Sequence, residues 1–367
     1  MTHSLLEKIK NQATIAWQSI PDFQECLLLD TPEHADNIGS MALLVGMVYA
    51  VSEIKKAKVL YAASKTDYSL DKIHSFPKSV PIILRGGNLG NYFWNLRSSE
   101  GSKRQYEFIV NTIIKKCHER PVILIPQSFY FNNEEDARAI ATTLNAHPNL
   151  TLMVRDKHSL SIAQRLFTHC QIILSPDIAF LLYSLISSAD KTKKQKILYM
   201  KRHDWEDPWQ EIIQKIPQEC LEISDWTKNR YIKKISFGNT RLQYSMNRML
   251  YRILLGQENI FSMKSIKEKR LFQENIFSFY INRLAMESLN LGIHQLSEHP
   301  LVITNRLHGH ILSTLIGIPN IILPSPYDKI QNCYDSWTHG IPNCYMVSSP
   351  KNFMETISSC YSFKRQG

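Results

Sequence analysis

Short apolar runs and helical spacings alternate along the first half of the chain, and this alternation constrains the fold more than any other feature. Cys26–Asp30, Lys58–Ala63, Val80–Leu84, Val122–Ile125, Leu150–Val154 and Gln171–Leu174 read as strands. Ser40–Lys56, Arg104–Cys117, Glu134–Ala146, Ser159–Phe167 and the apolar Ile178–Ile186 read as the helices between them. Strands of this kind, separated by helices, mean βαβ units and a buried parallel sheet.

A polar, Lys-rich stretch, Ser188–Lys196, suits a linker. Beyond it, Lys196–Met200 and Cys220–Ile223 read as strands, and long helical patterns occupy Thr240–Leu255 and Leu271–Leu291. Alternation then resumes through Leu301–Thr304, Ile311–Ile316, Asn320–Leu323, Ile330–Trp337, Tyr345–Val347 and Asn352–Tyr361. With 367 residues and 44% hydrophobic content, one ordinary domain is exceeded. The expectation is two Rossmann-like α/β domains, residues 1–187 and 188–367, with room for the last helix to pack back on the first.

The formal charge of +10 points to an acidic partner: nucleic acid, an anionic membrane surface or a phosphorylated substrate. Between Ile186 and Asn275 stand 18 Lys/Arg against 11 Asp/Glu, interleaved with aromatics such as Trp205, Trp226 and Tyr244. A solvated basic face and contact with an anionic membrane or diphosphate-linked molecule both fit. No RNA- or DNA-binding signature accompanies the stretch, so no nucleic-acid partner is expected. The seven cysteines are scattered, odd in number and free of C-x-x-C spacing, which argues against a disulfide framework or structural zinc and for a reducing compartment. Met1–Lys10 has no signal-peptide pattern, and Met41–Val51 is too short to span a bilayer. A cytoplasmic protein, at most peripheral at the inner face of a membrane, is the expectation.

In open parallel sheets ligands bind beyond the carboxyl ends of the strands. The unusual polar residues gather there: His34, Asn37 and Gly39 after the first strand, Arg85-Gly86-Gly87-Asn88-Leu89-Gly90-Asn91 after the third, and then Pro126-Gln127-Ser128, Arg155-Asp156, Ser175-Pro176-Asp177, Lys201-Arg202 and Asn305-Arg306-Leu307-His308-Gly309. The last cluster is the strongest. A buried strand stops, Arg306 and His308 follow, and Gly309 opens a helix whose N–H groups form an anion site. Arg306 can grip a carboxylate or phosphate with two hydrogen bonds, and His308 can donate to phosphate or move a proton. The Gly86-Gly87-Asn88 turn can cradle phosphate or simply be a tight turn. No spacing suits a metal site, and no G-x-S-x-G elbow supports a hydrolase.

Taken in order, Arg85-Gly-Gly-Asn-Leu-Gly, Pro126-Gln-Ser, Val154-Arg-Asp with Ser159, Ser175-Pro-Asp-Ile-Ala, Thr304-x-Arg-Leu-His-Gly, Gly317-Ile-Pro, Tyr327-x-Lys-Ile and Trp337 resemble the polysaccharide pyruvyl transferases, from about His34 to Trp337. The resemblance implies a GT-B-like pair of domains facing across a cleft. It implies transfer of the enolpyruvyl group of phosphoenolpyruvate onto two hydroxyls of one sugar, in a bacterial-type surface polysaccharide or its lipid-linked precursor, with release of phosphate and no cofactor or metal. Carried over by position, Arg306 and His308 meet the donor's phosphate and carboxylate, with Arg155 and Lys201 or Arg202 facing them. His308 is the candidate proton donor, and Asp177 is a candidate base or a helix cap. Asn88 and Gln127 would position sugar hydroxyls. Arg85, Gly86, Gly87, Ser128, His34, Asn37, Gly309, Tyr327 and Lys329 complete the expected substrate-binding set.

Two departures stand out. The family pattern has a third glycine in the first loop, where Arg85 here precedes only two, and an Asp where Asn91 stands, and Asn37-Ile-Gly39 is followed by Ser40 rather than Asp. Two other readings remain open: a GT-B glycosyltransferase using a nucleotide sugar, and a non-catalytic subunit of a polysaccharide assembly complex. Nothing in the sequence sets the oligomeric state.

Overall fold

The computed structural model describes residues 2–32, 37–66, 68–89, 104–131, 133–186, 195–201, 209–226, 275–325 and 328–361. The Ser188–Lys196 linker, the Thr240–Leu255 helix and most of the basic Ile186–Asn275 stretch fall largely or wholly outside them.

Two parallel sheets form. The first holds β1 (Glu25–Leu29), β2 (Lys58–Ala63), β3 (Ile82–Leu84), the two-residue β4 (Asn88–Leu89), β5 (Val122–Phe129), β6 (Leu150–Val154) and β7 (Gln171–Leu174). Its order is β2-β1-β3-β5-β6-β7, with β4 paired to the end of β5. The second holds β8 (Ile197–Met200), β9 (Leu221–Ser224), β10 (Val302–Thr304), β11 (Asn320–Ile322) and β12 (Cys344–Met346), in the order β12-β11-β10-β8-β9. Both orders are doubly wound and reverse direction once. The reversal falls between β1 and β3 in one sheet and between β8 and β10 in the other, and such switch points are where ligands bind.

The helices are α1 (Thr2–Gln18), α2 (Ile38–Tyr49), α3 (Leu70–Ser75), α4 (Glu134–Asn145), α5 (Lys157–Leu166), α6 (Gln210–Ile213), α7 (Asn275–Ser297), α8 (Leu307–Leu315), α9 (Lys329–Cys333) and α10 (Pro350–Cys360). Local chemistry sets their starts. Asn133 caps α4, whose first turn carries Glu134, Glu135 and Asp136 against the positive helix end. Asp156 caps α5, and Ser349 caps α10, which has Pro350 in its first turn. The expected Ile178–Ile186 helix is a tighter 3₁₀ segment, Ile178–Ser184.

Strand β5 outruns its expected end at Ile125. Pro126 cannot donate a ladder bond, and the β5–β6 register shifts between Leu124 and Gln127 to absorb it. Gln127 and Ser128 are therefore strand residues, held further by β4, where Asn88 stands opposite Ser128.

Successive residues of β1 feed different cores. Leu27 and Leu29 join the cluster under the Glu107–Ile114 helix, α4 and α5. Cys26 and Leu28 join a second cluster that also contains Met41 of α2, Phe180 of the 3₁₀ segment, Leu289 of α7, Leu312 of α8, and Leu198 and Met200 of β8. Apolar packing is thus continuous from one sheet to the other. The closing helix buries Phe353 and Ile357 against Ile197, Tyr199 and Trp209, on the second sheet rather than back on the first.

Candidate functional site

The strand ends bring Arg155, Asp177 and His308 together. Arg155 follows β6, Asp177 follows β7, and His308 is the second residue of α8, beyond β10 of the other sheet. Arg155 Nη1 donates to Asp177 Oδ2 at 3.0 Å. His308 Nε2 lies 3.6 Å from the same oxygen, an ion-pair distance longer than a hydrogen bond. The other oxygen, Oδ1, accepts from Ala179 N at 3.0 Å and caps the 3₁₀ segment. The carboxylate therefore serves one of its two expected roles, the helix cap, through Oδ1, while Oδ2 holds Arg155 and His308 where a base was the other expectation. Burial alone would raise its pKa. The opposing effects of His308, Arg155 and the Ala179 N–H prevail and hold it well below the usual carboxylate range. Asp177 is a fixed anion and a feeble base.

Arg155 is held from three sides. Its Nε donates to Ser128 Oγ at 2.8 Å, and Ser128 Oγ donates in turn to Asp156 Oδ2 at 2.7 Å. Asp156 Oδ1 accepts from Ser159 N at 2.7 Å, and Ser159 Oγ accepts from Phe129 N. The Arg155 carbonyl accepts from Trp337 Nε1 at 2.6 Å, which ties the second half to the first. Sequence reasoning singled out Arg155 and Ser128 but missed the functions of Asp156 and Trp337 as their supports.

The first turn of α2 sits against His308. A Cβ on Gly39 would lie 2.5 Å from His308 Nδ1 and 3.1 Å from its Cβ, so only glycine leaves room for the ring. Helix starts carry free N–H groups and partial positive charge, and here those of α2 and α8 both adjoin one imidazole. Asn37 is the cap of α2, its Oδ1 accepting from Ser40 N at 3.3 Å.

Gly309 differs from expectation. Helix α8 begins at Leu307, with Arg306 as its N-cap, so Gly309 lies inside the first turn. A Cβ there would meet Thr304 Oγ1 at 2.6 Å. The glycine is required by the close packing of helix on strand, before any question of ligand approach. Arg306 Nη2 reaches Asp225 Oδ1 at 2.6 Å, just beyond β9. Lys201 follows β8 and is half-buried, and Lys329 is buried at the start of α9.

Arg85, expected to face substrate, points inward instead. Its Nε donates to the Asp30 carbonyl at 2.6 Å, Nη2 lies 3.1 Å from Asp30 Oδ2, and Nη1 donates to Ser40 Oγ at 3.3 Å. Gln105 Nε2 also donates to Asp30 Oδ2, at 2.6 Å. Gly86 and Gly87 have φ of 57° and 152°, so the turn demands glycine. Gly87 N donates to Gln127 Oε1 at 3.3 Å. Sequence reading missed Asp30, which looked like the last residue of a strand. His34, Arg202 and Tyr327 lie outside the described residues.

These features define a class: a doubly wound α/β protein whose two sheets each place polar residues at their switch points, with an arginine, a histidine and two helix starts gathered around a buried carboxylate. The family model for polysaccharide pyruvyl transferase matches residues 37–326, and the chain belongs to that family. Among relatives, it is 24% identical over 346 residues to EpsO of Bacillus subtilis (strain 168), whose pyruvyl transferase name is provisional, covering 94% of this chain and 95% of that one. It is 24% identical over 322 residues to pyruvyl transferase 1 of Schizosaccharomyces pombe, covering 85% and 69% respectively. The fold resembles the crystal structure of a functionally uncharacterized protein from Klebsiella pneumoniae, with a TM-score of 0.51, 15% identity, and 94% and 99% of the two chains covered. Among the described residues no helix is long and apolar enough to cross a membrane.

Proposed function

We propose that this protein transfers the enolpyruvyl group of phosphoenolpyruvate onto two hydroxyls of one sugar in a surface polysaccharide or its lipid-linked precursor, forming a cyclic ketal and phosphate. The observation that carries the reading is the meeting of Arg155, His308 and the α2 and α8 starts around Asp177. A donor with a phosphate and a carboxylate needs two anion-binding elements side by side, and two helix starts with an arginine and a histidine supply them. In this reading His308 holds the phosphate and protonates either it or the enol carbon. Arg155 and Arg306 neutralise charge as it moves onto the leaving group. Asp177 keeps its charge throughout and aligns Arg155 and His308.

Residues 1–187 would form the acceptor side and 188–367 the donor side of a GT-B-like cleft. The protein would work in the cytoplasm at the inner membrane face, where a lipid-linked acceptor is presented. Belonging to this family favours pyruvyl transfer over a nucleotide-sugar reaction.

Thermal melting tests the donor. Phosphoenolpyruvate at a hundred times its Kd should stabilise the protein by about 2.7 kcal/mol. A panel of nucleotide sugars should do nothing, and His308→Gln should erase the effect. Stabilisation by a nucleotide sugar instead, or by nothing in the panel, sinks the reading.

A further inference from the structure

Ketal formation needs a base for the sugar hydroxyl, and the described residues bury four carboxylates: Asp30, Asp156, Asp177 and Asp225. Asp156 spends both oxygens, on Ser128 and Ser159. Asp177 is committed to Ala179, Arg155 and His308. Asp225 holds Arg306. Asp30 differs. Its Oδ2 takes Arg85 and Gln105, and its Oδ1 is buried with no hydrogen-bond partner.

Two more unmet groups stand beside it. Gln127 Nε2 is a buried donor without a partner, and Thr31 Oγ1 is a buried hydroxyl without one. Gln127 lies against Gly86, since a Cβ there would come 2.5 Å from its Nε2. The carbonyl of Gly86 accepts from the Gln105 amide that also holds Asp30. Gly87 has open space, with nothing within 4 Å of where a Cβ would be. Buried polar groups are normally satisfied, so unmet ones mark a place for a ligand. A hydroxyl both donates and accepts, and two hydroxyls of one sugar fit an acceptor oxygen beyond β1 and a donor nitrogen on β5, the two strands that flank β3. The location is the switch point between β1 and β3. Asp30 is also a non-glycine residue held at φ 60°, the kind of strain that gathers at functional sites. Through Arg85 and Ser40 it connects to the first turn of α2, the turn on which His308 rests.

We infer that Asp30 takes the proton of the attacking sugar hydroxyl while Gln127 Nε2 donates to its neighbour on the same ring. The inference rests on the pyruvyl-transfer reading above. The balance closes. One hydroxyl oxygen bonds to C2 of the enolpyruvyl group and its proton passes to Asp30. C3 gains a proton and becomes a methyl group. The bond from C2 to the phosphate oxygen breaks, the second hydroxyl oxygen takes its place, and phosphate leaves. Two hydroxyl protons are lost, one counted to C3 and one to phosphate, and Asp30 ends as it began. Burial raises the Asp30 carboxyl above its ordinary range, with Arg85, Gln105, Lys65 and Gly86 offsetting it only in part, which makes it a better base than Asp177.

The test uses cells lacking this gene, complemented with the wild type or with Asp30→Asn, and reads pyruvate released from the surface polysaccharide by mild acid. It pairs that with the melting shift of each purified protein in phosphoenolpyruvate. Asp30→Asn should leave the melting shift in place and remove the bound pyruvate. With membranes and polysaccharide of the deletion cells as acceptor, phosphate release should fall on the order of a hundredfold, as for loss of a general base, and its acid limb should vanish. Pyruvate content and rate within threefold of wild type would overturn the inference. Wild-type protein that restores no pyruvate overturns pyruvyl transfer itself, and this inference with it. Should Asp30→Asn fail to fold, Gln127→Leu decides: a raised acceptor KM with an unchanged donor shift supports the pocket, and an unchanged KM removes it.

Discussion

The imidazole of His308 fills the space in which any side chain at Gly39 would begin, 2.5 Å from its Nδ1. Two residues from different halves therefore share one volume, and the smaller must be glycine. Gly39→Ala should improve the intrinsic helix preference of α2 by up to about 1 kcal/mol. It should nonetheless displace His308 from Asp177. The expected result is an unliganded melting temperature close to wild type with the phosphoenolpyruvate-induced shift largely lost. An unaltered shift would mean that the ring moves freely and its position is unimportant.

Ser128 is the joint between Asp156 and Arg155. Ser128→Ala leaves Asp156 Oδ2 buried without its donor and frees Arg155 Nε. A cost of about 1–3 kcal/mol in denaturant unfolding is expected. Donor affinity should weaken in isothermal titration, because the guanidinium loses its Ser128 anchor. Loss of stability with unchanged donor affinity would confine the joint to a structural role.

Asp177 carries a pH signature. Its folded pKa lies below its ordinary value, because the His308 and Arg155 effects outweigh burial. Such a group adds stability above its unfolded pKa, about 3.9, and loses it as pH falls through the folded value. Wild-type protein should therefore weaken below about pH 4. Asp177→Asn should start less stable at pH 7 and show a flatter decline in that acid window, read by denaturant midpoints.

His310 acts on the same acid side but at higher pH. It is buried between Asn320 Oδ1 at 2.7 Å and Thr338 Oγ1 at 2.8 Å. Burial lowers its pKa from 6.5 to about 4, and the Asn320 bond offsets only part of this. The folded state keeps His310 neutral while the unfolded chain protonates, so stability is complete above pH 6.5 and falls as pH drops toward 4. At pH 5 the loss should be about 2 kcal/mol. His310→Gln should show a smaller difference in unfolding free energy between pH 7 and pH 5 than wild type.

Much of this was legible in the residues. Strand apolarity and helical spacing located both sheets, and the clustering of polar residues at strand ends located Arg155, Ser128, Asp177 and His308. The long-range pairings were not legible, because nothing local in Asp156 or Trp337 says which arginine it supports. Helix α1 was overlooked although Leu6, Ile9, Ala13 and Trp17 carry its buried stripe at helical spacing. Pro126 disguised the length of β5, since the strand runs on past it only through a register shift between Leu124 and Gln127. Arg85 and Ser40 read as two unrelated departures from the family pattern, and the fold makes them hydrogen-bond partners. Asp30 was hidden because a carboxylate at the end of an apolar strand reveals its unmet oxygen only once its neighbours are placed.

The Arg155–Asp177 pair lies wholly within the first half, whereas His308 arrives from the second. A ribosome adding 5–20 residues per second needs on the order of ten seconds to travel from one to the other. Throughout that interval the nascent chain can hold the buried ion pair and still lack the imidazole that joins it. The cluster is complete only when β10 and α8 have emerged and docked, so a truncated translation product carries Arg155 and Asp177 without His308.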